Sequence, residues 1–165
     1  MPVDFIKNYF TQEKIESLFF IFIGIVAISF SLINWFIIKY SFYKGLAYPL
    51  LIIGIIQLSV GTVVFIRTPE DIARVEHIVK AERSKINTEE LPRMKKVIQN
   101  FTIYKWIELA LILVGISLFF LCKNSNVRFW KGLGLGLMIQ ASLMLTIDTV
   151  AENRAAVYVN CFQAF

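Results

Sequence analysis

The sequence predicts an all-α protein: a four-span transmembrane helix bundle carrying a polar helical hairpin between spans 2 and 3. Three observations lead there. Of its 165 residues, 57% are hydrophobic and 18% charged, with fifteen phenylalanines, against roughly 45–50% and about 25% in soluble domains. The apolar residues fall in long uncharged runs. The charges collect between those runs, as they do at bilayer boundaries.

Leu18 to Ile38 is uncharged over 21 residues and stops at Lys39, and Gly45 to Ile66 is uncharged over 22, between Lys44 and Arg67. Each exceeds the ~20 residues that carry a helix across a ~30 Å hydrocarbon core. The link, Lys39-Tyr40-Ser41-Phe42-Tyr43-Lys44, is too short for anything but an antiparallel turn, and its aromatics suit the headgroup layer. The later pair is less pure. Between Lys105 and Lys123 the only charge is Glu108, and from Gly132 to Ile147 there is none over 16 residues. Trp106 and Trp130 mark interfaces there, and tilt or snorkelling lysines absorb the shortfall. The spans are set at about 18–38, 45–66, 103–122 and 130–150, in one membrane domain covering 1–165.

The polar segment between spans 2 and 3 reads as an extramembrane helical hairpin over 68–101. Thr68-Pro69-Glu70-Asp71 has the form of a helix start: hydroxyl cap, proline in the first turn, then two acids at the positive end of the dipole. Asn87 with Glu90 resembles a second capping box. Glu70/Arg74, Glu76/Lys80 and Glu89/Arg93 are i,i+4 ion pairs that support exposed helix. Ile72, Val75, Val79 and Ile86, continued by Leu91, Met94, Ile98 and Phe101, form an apolar stripe suited to packing. In the tail, 151–165, Ala155, Tyr158, Phe162 and Phe165 recur at helical spacing and predict an amphipathic segment. The segment before span 1, 1–16, mixes charges with apolar residues and is expected to be retained rather than cleaved.

Comparison of the two halves suggests an internal repeat. Phe42-Tyr43-Lys44-Gly45-Leu46 opens the second span and Phe129-Trp130-Lys131-Gly132-Leu133 the fourth; Gln57-Leu58-Ser59 and Gln140-Ala141-Ser142 lie deeper in the same spans. Such a pattern fits two hairpins of equal orientation, related by an axis along the membrane normal. Gly132/Gly136 and Gly54/Gly61 are small-residue faces where helix backbones can approach.

Polar groups within hydrocarbon need partners or a purpose. Gln57 and Gln140 are placed to act as hydrogen-bonding glue between helices. Glu108 has Lys105 three residues before it as a partner. Asp148 ends the fourth span one turn before Glu152, and Arg154 follows as a cation for Asp148, Glu152 or Glu108. Three acids near one interface exceed what packing requires, so Glu108, Asp148, Glu152 and Arg154, with the two glutamines, are the candidate polar cluster.

Several chemistries are expected to be absent. One histidine, His77, and two separated cysteines, Cys122 and Cys161, make no metal, haem or disulfide constellation. Gly132-Leu133-Gly134-Leu135-Gly136 follows no strand and lacks the Lys-Ser/Thr of a phosphate loop. The formal charge of +5 is dispersed, so no nucleic-acid partner is expected. No catalytic residue and no cofactor is assigned. Lys and Arg number twelve on the side of the termini and hairpin against five in the short loops, which places both termini in the cytoplasm.

The layout of four spans with a polar helix after the second resembles the small glutathione- and eicosanoid-metabolising membrane enzymes, whose basic glutathione-binding motif is not present here. It is also similar in layout to four-span bacterial immunity proteins that shield a cell from a membrane-acting toxin. The expectation is a non-enzymatic multi-pass protein of a cell membrane, the bacterial inner membrane, that binds a partner in or at the bilayer. Besides lipid, that partner is a membrane protein, a toxin or a second copy. The alternatives are a small transporter or channel subunit using the acidic and amide residues, and a membrane enzyme acting on a lipid or thiol.

Overall fold

A computed structural model describes residues 3–122 and 127–163. Four long helices make up nearly all of it: α1 (Val3–Ile33), α2 (Ser41–Ala81), α3 (Leu91–Leu121) and α4 (Val127–Gln163). Each is long and apolar enough to cross a membrane, and no strand occurs among the described residues. This is the all-α, four-span layout of a multi-pass membrane protein. The link between spans 3 and 4, with Lys123 in it, and Phe165 at the end of the tail lie outside the described residues.

Two junctions differ from the sequence expectation. The expected helix start at Thr68 does not exist, because α2 runs unbroken from Ser41 through Pro69 to Ala81. The Thr68 hydroxyl donates to the Val64 carbonyl, one turn back, instead of capping. Pro69 removes the donor that would meet the Phe65 carbonyl, at the edge of the span rather than in its centre. The capping box at Asn87 is likewise replaced. The chain turns over Glu82–Lys85 and re-enters helix through a π-helical turn, Ile86–Glu90, continuous with α3. Both arms of the hairpin are therefore extensions of spans 2 and 3, and the tail is an extension of α4. Four rods project from the bilayer together.

These extensions form the best-packed part of the molecule. Ile6, Tyr9 and Phe10 of α1, Val75 and Val79 of α2, Leu91 and Met94 of α3, and Ala155, Tyr158, Val159 and Phe162 of α4 make one buried core. Tyr158 is at its centre, its ring 4.3 Å from that of Tyr9 and 4.7 Å from that of Phe162. In water this stripe-on-stripe contact removes apolar surface from solvent, so the head is held by the hydrophobic effect.

Below the head that driving force is gone, since lipid is as apolar as leucine. There the helices pack pairwise: α1 on α2, α2 on α4, and α4 on α3. The buried apolar cluster shrinks to Ala27, Leu46 and Leu50, and small residues set the contacts. Gly24 of α1 faces the Gly54 carbonyl, and Gly115 of α3 faces that of Gly134. At the far end α1 closes on a π-helical turn, Asn34–Ile38, with Lys39 in the left-handed conformation (φ 59°).

The centre of the row is reciprocal. A methyl group on Gly45 would overlap the Phe129 backbone carbonyl, and one on Gly132 would overlap that of Phe42. The Phe-aromatic-Lys-Gly-Leu segments of the two halves thus lie against each other, each glycine under the other's phenylalanine carbonyl. The equivalence is local. Gln57 and Gln140, four residues out of register with that pairing, hydrogen-bond to each other at 3.3 Å.

Candidate functional site

Between the head core and the row of spans lies a layer of charged side chains, and the way their charges are met separates structural from candidate functional groups. Glu90 is the best-satisfied acid in the molecule. It is fully buried, and four donors reach its two oxygens. Arg93 approaches from Nε (3.0 Å) and Nη2 (2.7 Å), Arg74 from Nη1 (3.2 Å) and the Tyr158 hydroxyl from 3.1 Å. Charge-assisted bonds of this fork geometry are the strong kind. Burial works against the Arg93 charge, but the Glu90 carboxylate outweighs it and holds the guanidinium above its usual range. Burial also pushes the Tyr158 hydroxyl up, and the Glu90 charge adds to that. The clamp ties α2, α3 and α4 together beside the aromatic core. It also corrects two ion pairs expected from spacing: Arg74 bonds Asp71 and Glu90 rather than Glu70, and Arg93 bonds Glu90 rather than Glu89. Glu76 and Lys80 do pair, at 3.0 Å.

The candidate cluster lies one layer closer to the bilayer. Glu152 takes Lys105, and the Thr102 hydroxyl donates to it at 3.2 Å. Arg154 takes Glu16 of α1, and its guanidinium lies 5.2 Å from the centre of the Tyr9 ring. Burial raises the Glu16 carboxyl above its usual range, with Arg154 opposing. Both cations expected to neutralise Glu108 or Asp148 are therefore engaged elsewhere. The expected Lys105–Glu108 pair is replaced by Lys105–Glu152, because the antiparallel packing of α3 on α4 brings Glu152 across the interface to Lys105.

Glu108 and Asp148 are left facing each other between α3 and α4. They are 2% and 6% exposed, and no donor reaches either oxygen of Glu108. In a span, where an isolated charge costs several kcal/mol, this is the least compensated acidic site among the described residues. Glu13–Arg67 (3.1 Å) and Lys14 over the Phe65 ring (4.5 Å) complete the layer on the α1–α2 side.

Deeper still, Gln57 and Gln140 are both fully buried. Their single mutual bond leaves Gln57 Oε1 and Gln140 Nε2 as further unmet capacity. Gly54 lies against Ala27 and the Gly24 carbonyl, Gly61 against the Ser17 carbonyl, which a Cβ in place of its hydrogen would meet at 2.8 Å, and Gly136 against Pro49 and the Leu46 carbonyl. Gly24, Gly45, Gly115 and Gly134 have equally close neighbours but were not assigned to packing faces from the sequence. Glu16 was missed as well, since nothing in its local spacing points to a partner on α4. His77 is exposed, 3.7 Å from Glu82, and Cys122 and Cys161 are free thiols. An apolar recess of about 190 Å³ lies between α1 and α4, lined by Glu16, Phe19, Ile23, Thr146, Ile147 and Val150.

The site can thus hold charge apart from water, but no nucleophile with an adjacent base is set up among the groups around it. No known protein family, curated protein or solved structure matches this chain.

Proposed function

We propose that this chain is a non-enzymatic membrane protein that acts by binding a partner within the bilayer, of the accessory or immunity type. The observation that carries the reading is the uneven cover of its spans. In the most apolar eighteen residues of α3 only 11% are buried inside the protein, against 33% in α2. Ile116 and Phe120 of α3 are turned outward, with Leu113 beside them 65% exposed. The α2–α4 seam, by contrast, is closed by backbone contact at Gly45 and Gly132 and crossed by the Gln57–Gln140 bond. That leaves lateral faces rather than a passage between the hairpins. The partner class is a membrane protein or membrane-acting toxin, and the membrane a bacterial inner membrane with the four-helix head and both termini in the cytoplasm. The Lys and Arg distribution supports that orientation.

Photoreactive side chains placed singly at Leu113, Ile116 and Phe120 in native membranes test the reading. It expects a discrete protein adduct from these positions, reduced by tryptophan at a neighbouring exposed site on α3. Adducts with lipid alone from all three positions would overturn it. A small transporter subunit is the second reading, favoured by one observation: the uncompensated Glu108–Asp148 pair.

A further inference from the structure

Around the α3–α4 interface the junction between head and spans brings four acids, Glu16, Glu108, Asp148 and Glu152, together with two cations, Lys105 and Arg154. Lys105 is held by Glu152 and Arg154 by Glu16. The charged groups acting on the central pair are Lys105 from α3, already committed, and Glu16 from α1, itself an acid. Glu108 is buried to 2% exposure with neither oxygen bonded, and what it meets across the α3–α4 interface is a second carboxyl group.

Two carboxylates are both acceptors, so no hydrogen bond can form between them as ions. The missing element is a cation, and the donor set decides which. Calcium takes 6–8 oxygen ligands, magnesium a near-ideal octahedron and zinc four ligands. No group of three or more potential metal-ligating His, Cys, Asp or Glu residues exists among the described residues. A proton needs only two oxygens in contact and no cavity. Carboxyl pairs sharing one proton are a known solution where like charges cannot both be ionised.

We propose that Glu108 and Asp148 form a proton-binding site at the bilayer edge of the α3–α4 interface, holding one exchangeable proton between two carboxyl oxygens. With the proton in place the pair carries one charge and an O–H···O bond that draws α3 onto α4. Without it, two like charges face each other out of water and push α3 away. Proton occupancy therefore governs how firmly α3, the least covered span, is docked. The site is independent of the partner-binding reading, since a proton can be held here whether or not a partner binds or anything is conducted.

The test is infrared spectroscopy of the full chain reconstituted in lipid at neutral pH. A protonated carboxyl group has a carbonyl stretch distinct from carboxylate and amide bands, and it shifts on exchange into deuterium oxide. We expect a band equivalent to about one carboxyl per chain at a pH where ordinary Asp and Glu are ionised. It should shift in deuterium oxide and vanish in Glu108→Gln, in Asp148→Asn and in the doubly substituted chain. The double variant keeps an amide-to-amide contact in place of the acid pair, so it guards against loss of fold. Absence of the band from the unsubstituted chain would overturn the proposal, as would its persistence in the double variant. A third contrary result is thermal stabilisation by sodium or calcium ions that the Glu108→Gln variant loses, which would make the ligand a metal cation.

Discussion

Adding one methyl group at Gly45 or Gly132 puts the central seam to the test. A Cβ at Gly132 would sit 2.9 Å from the Phe42 carbonyl carbon and 3.0 Å from the Leu46 nitrogen, with the Phe42 oxygen nearer still. At Gly45 the Phe129 carbonyl carbon and Leu133 nitrogen stand at the same 2.9 and 3.0 Å. All of these atoms are helix backbone, so no side-chain rotation relieves the overlap. The helices α2 and α4 must instead separate by on the order of 1 Å, and overpacking of this kind costs about 1–3 kcal/mol. Because the two contacts are reciprocal, the separation that admits one methyl largely admits the other. Gly45→Ala plus Gly132→Ala should therefore cost less than the sum of the single changes, with a coupling of about 0.5–3 kcal/mol. Gly115→Ala acts on a different seam, where its Cβ would meet the Gly134 carbonyl at 2.7 Å, so its cost should add to that of Gly45→Ala. Reversible unfolding of the reconstituted variants, followed by circular dichroism in mixed micelles, gives all the terms. Strict additivity of the Gly45 and Gly132 changes, or a single change within ~0.5 kcal/mol of neutral, which is the scatter of ordinary surface substitutions, would refute the reasoning.

Other expectations rest on the same contrast between met and unmet polar groups. Glu90→Ala leaves Arg93 and the Tyr158 hydroxyl without their partner, while Arg74 keeps Asp71; with both guanidiniums partly exposed, the loss should cost about 1.5–3 kcal/mol, the range for hydrogen bonds to a charged group, and thermal unfolding of the reconstituted protein measures it. Tyr158 retains its proton in the folded state at a pH where the unfolded chain has lost it, so the native state binds more protons. Stability is therefore expected to fall as pH rises beyond the ordinary tyrosine value of about 10, and Tyr158→Phe should flatten that fall in an unfolding series across alkaline pH. Gln57→Leu alone leaves Gln140 without its partner and should cost about 0.6 kcal/mol, the average for such bonds in membranes. The Gln57→Leu/Gln140→Leu chain should recover most of this in the same unfolding assay.

Much of the architecture is legible in the sequence because lipid imposes a simple rule: a run of ~20 residues without charge must be helix and must span. Leu18 to Ile38 and Gly45 to Ile66 satisfy it without tertiary information. The head was less legible, because its core is shared among four segments. Tyr9, Val75, Met94 and Tyr158 each look like one residue of a modest stripe, and their meeting depends on how the rods leave the membrane. Thr68-Pro69 has the local chemistry of a helix start, yet a helix already stabilised by the span below it continues through. Ion pairs were legible only where both partners lie on one exposed helix face, as Glu76 and Lys80 do. Lys105 and Arg154 choose partners across helix interfaces, and Arg74 adds Glu90 across one to Asp71 on its own helix, which i,i+4 counting cannot see. Glu108, Asp148 and the two glutamines stood out because polarity in a span is rare, but which of them would be left without a partner required the packing of α3 on α4.

The most direct measurement for the central claim, that this protein binds rather than conducts, is ion flux through the purified full chain in sealed liposomes. A closed α2–α4 seam with lateral faces for binding predicts proton and alkali-ion leakage no greater than that of empty vesicles, unchanged in Glu108→Gln and Asp148→Asn. Flux above that background which disappears in the Glu108→Gln variant would contradict it and make the acid pair part of a transport path.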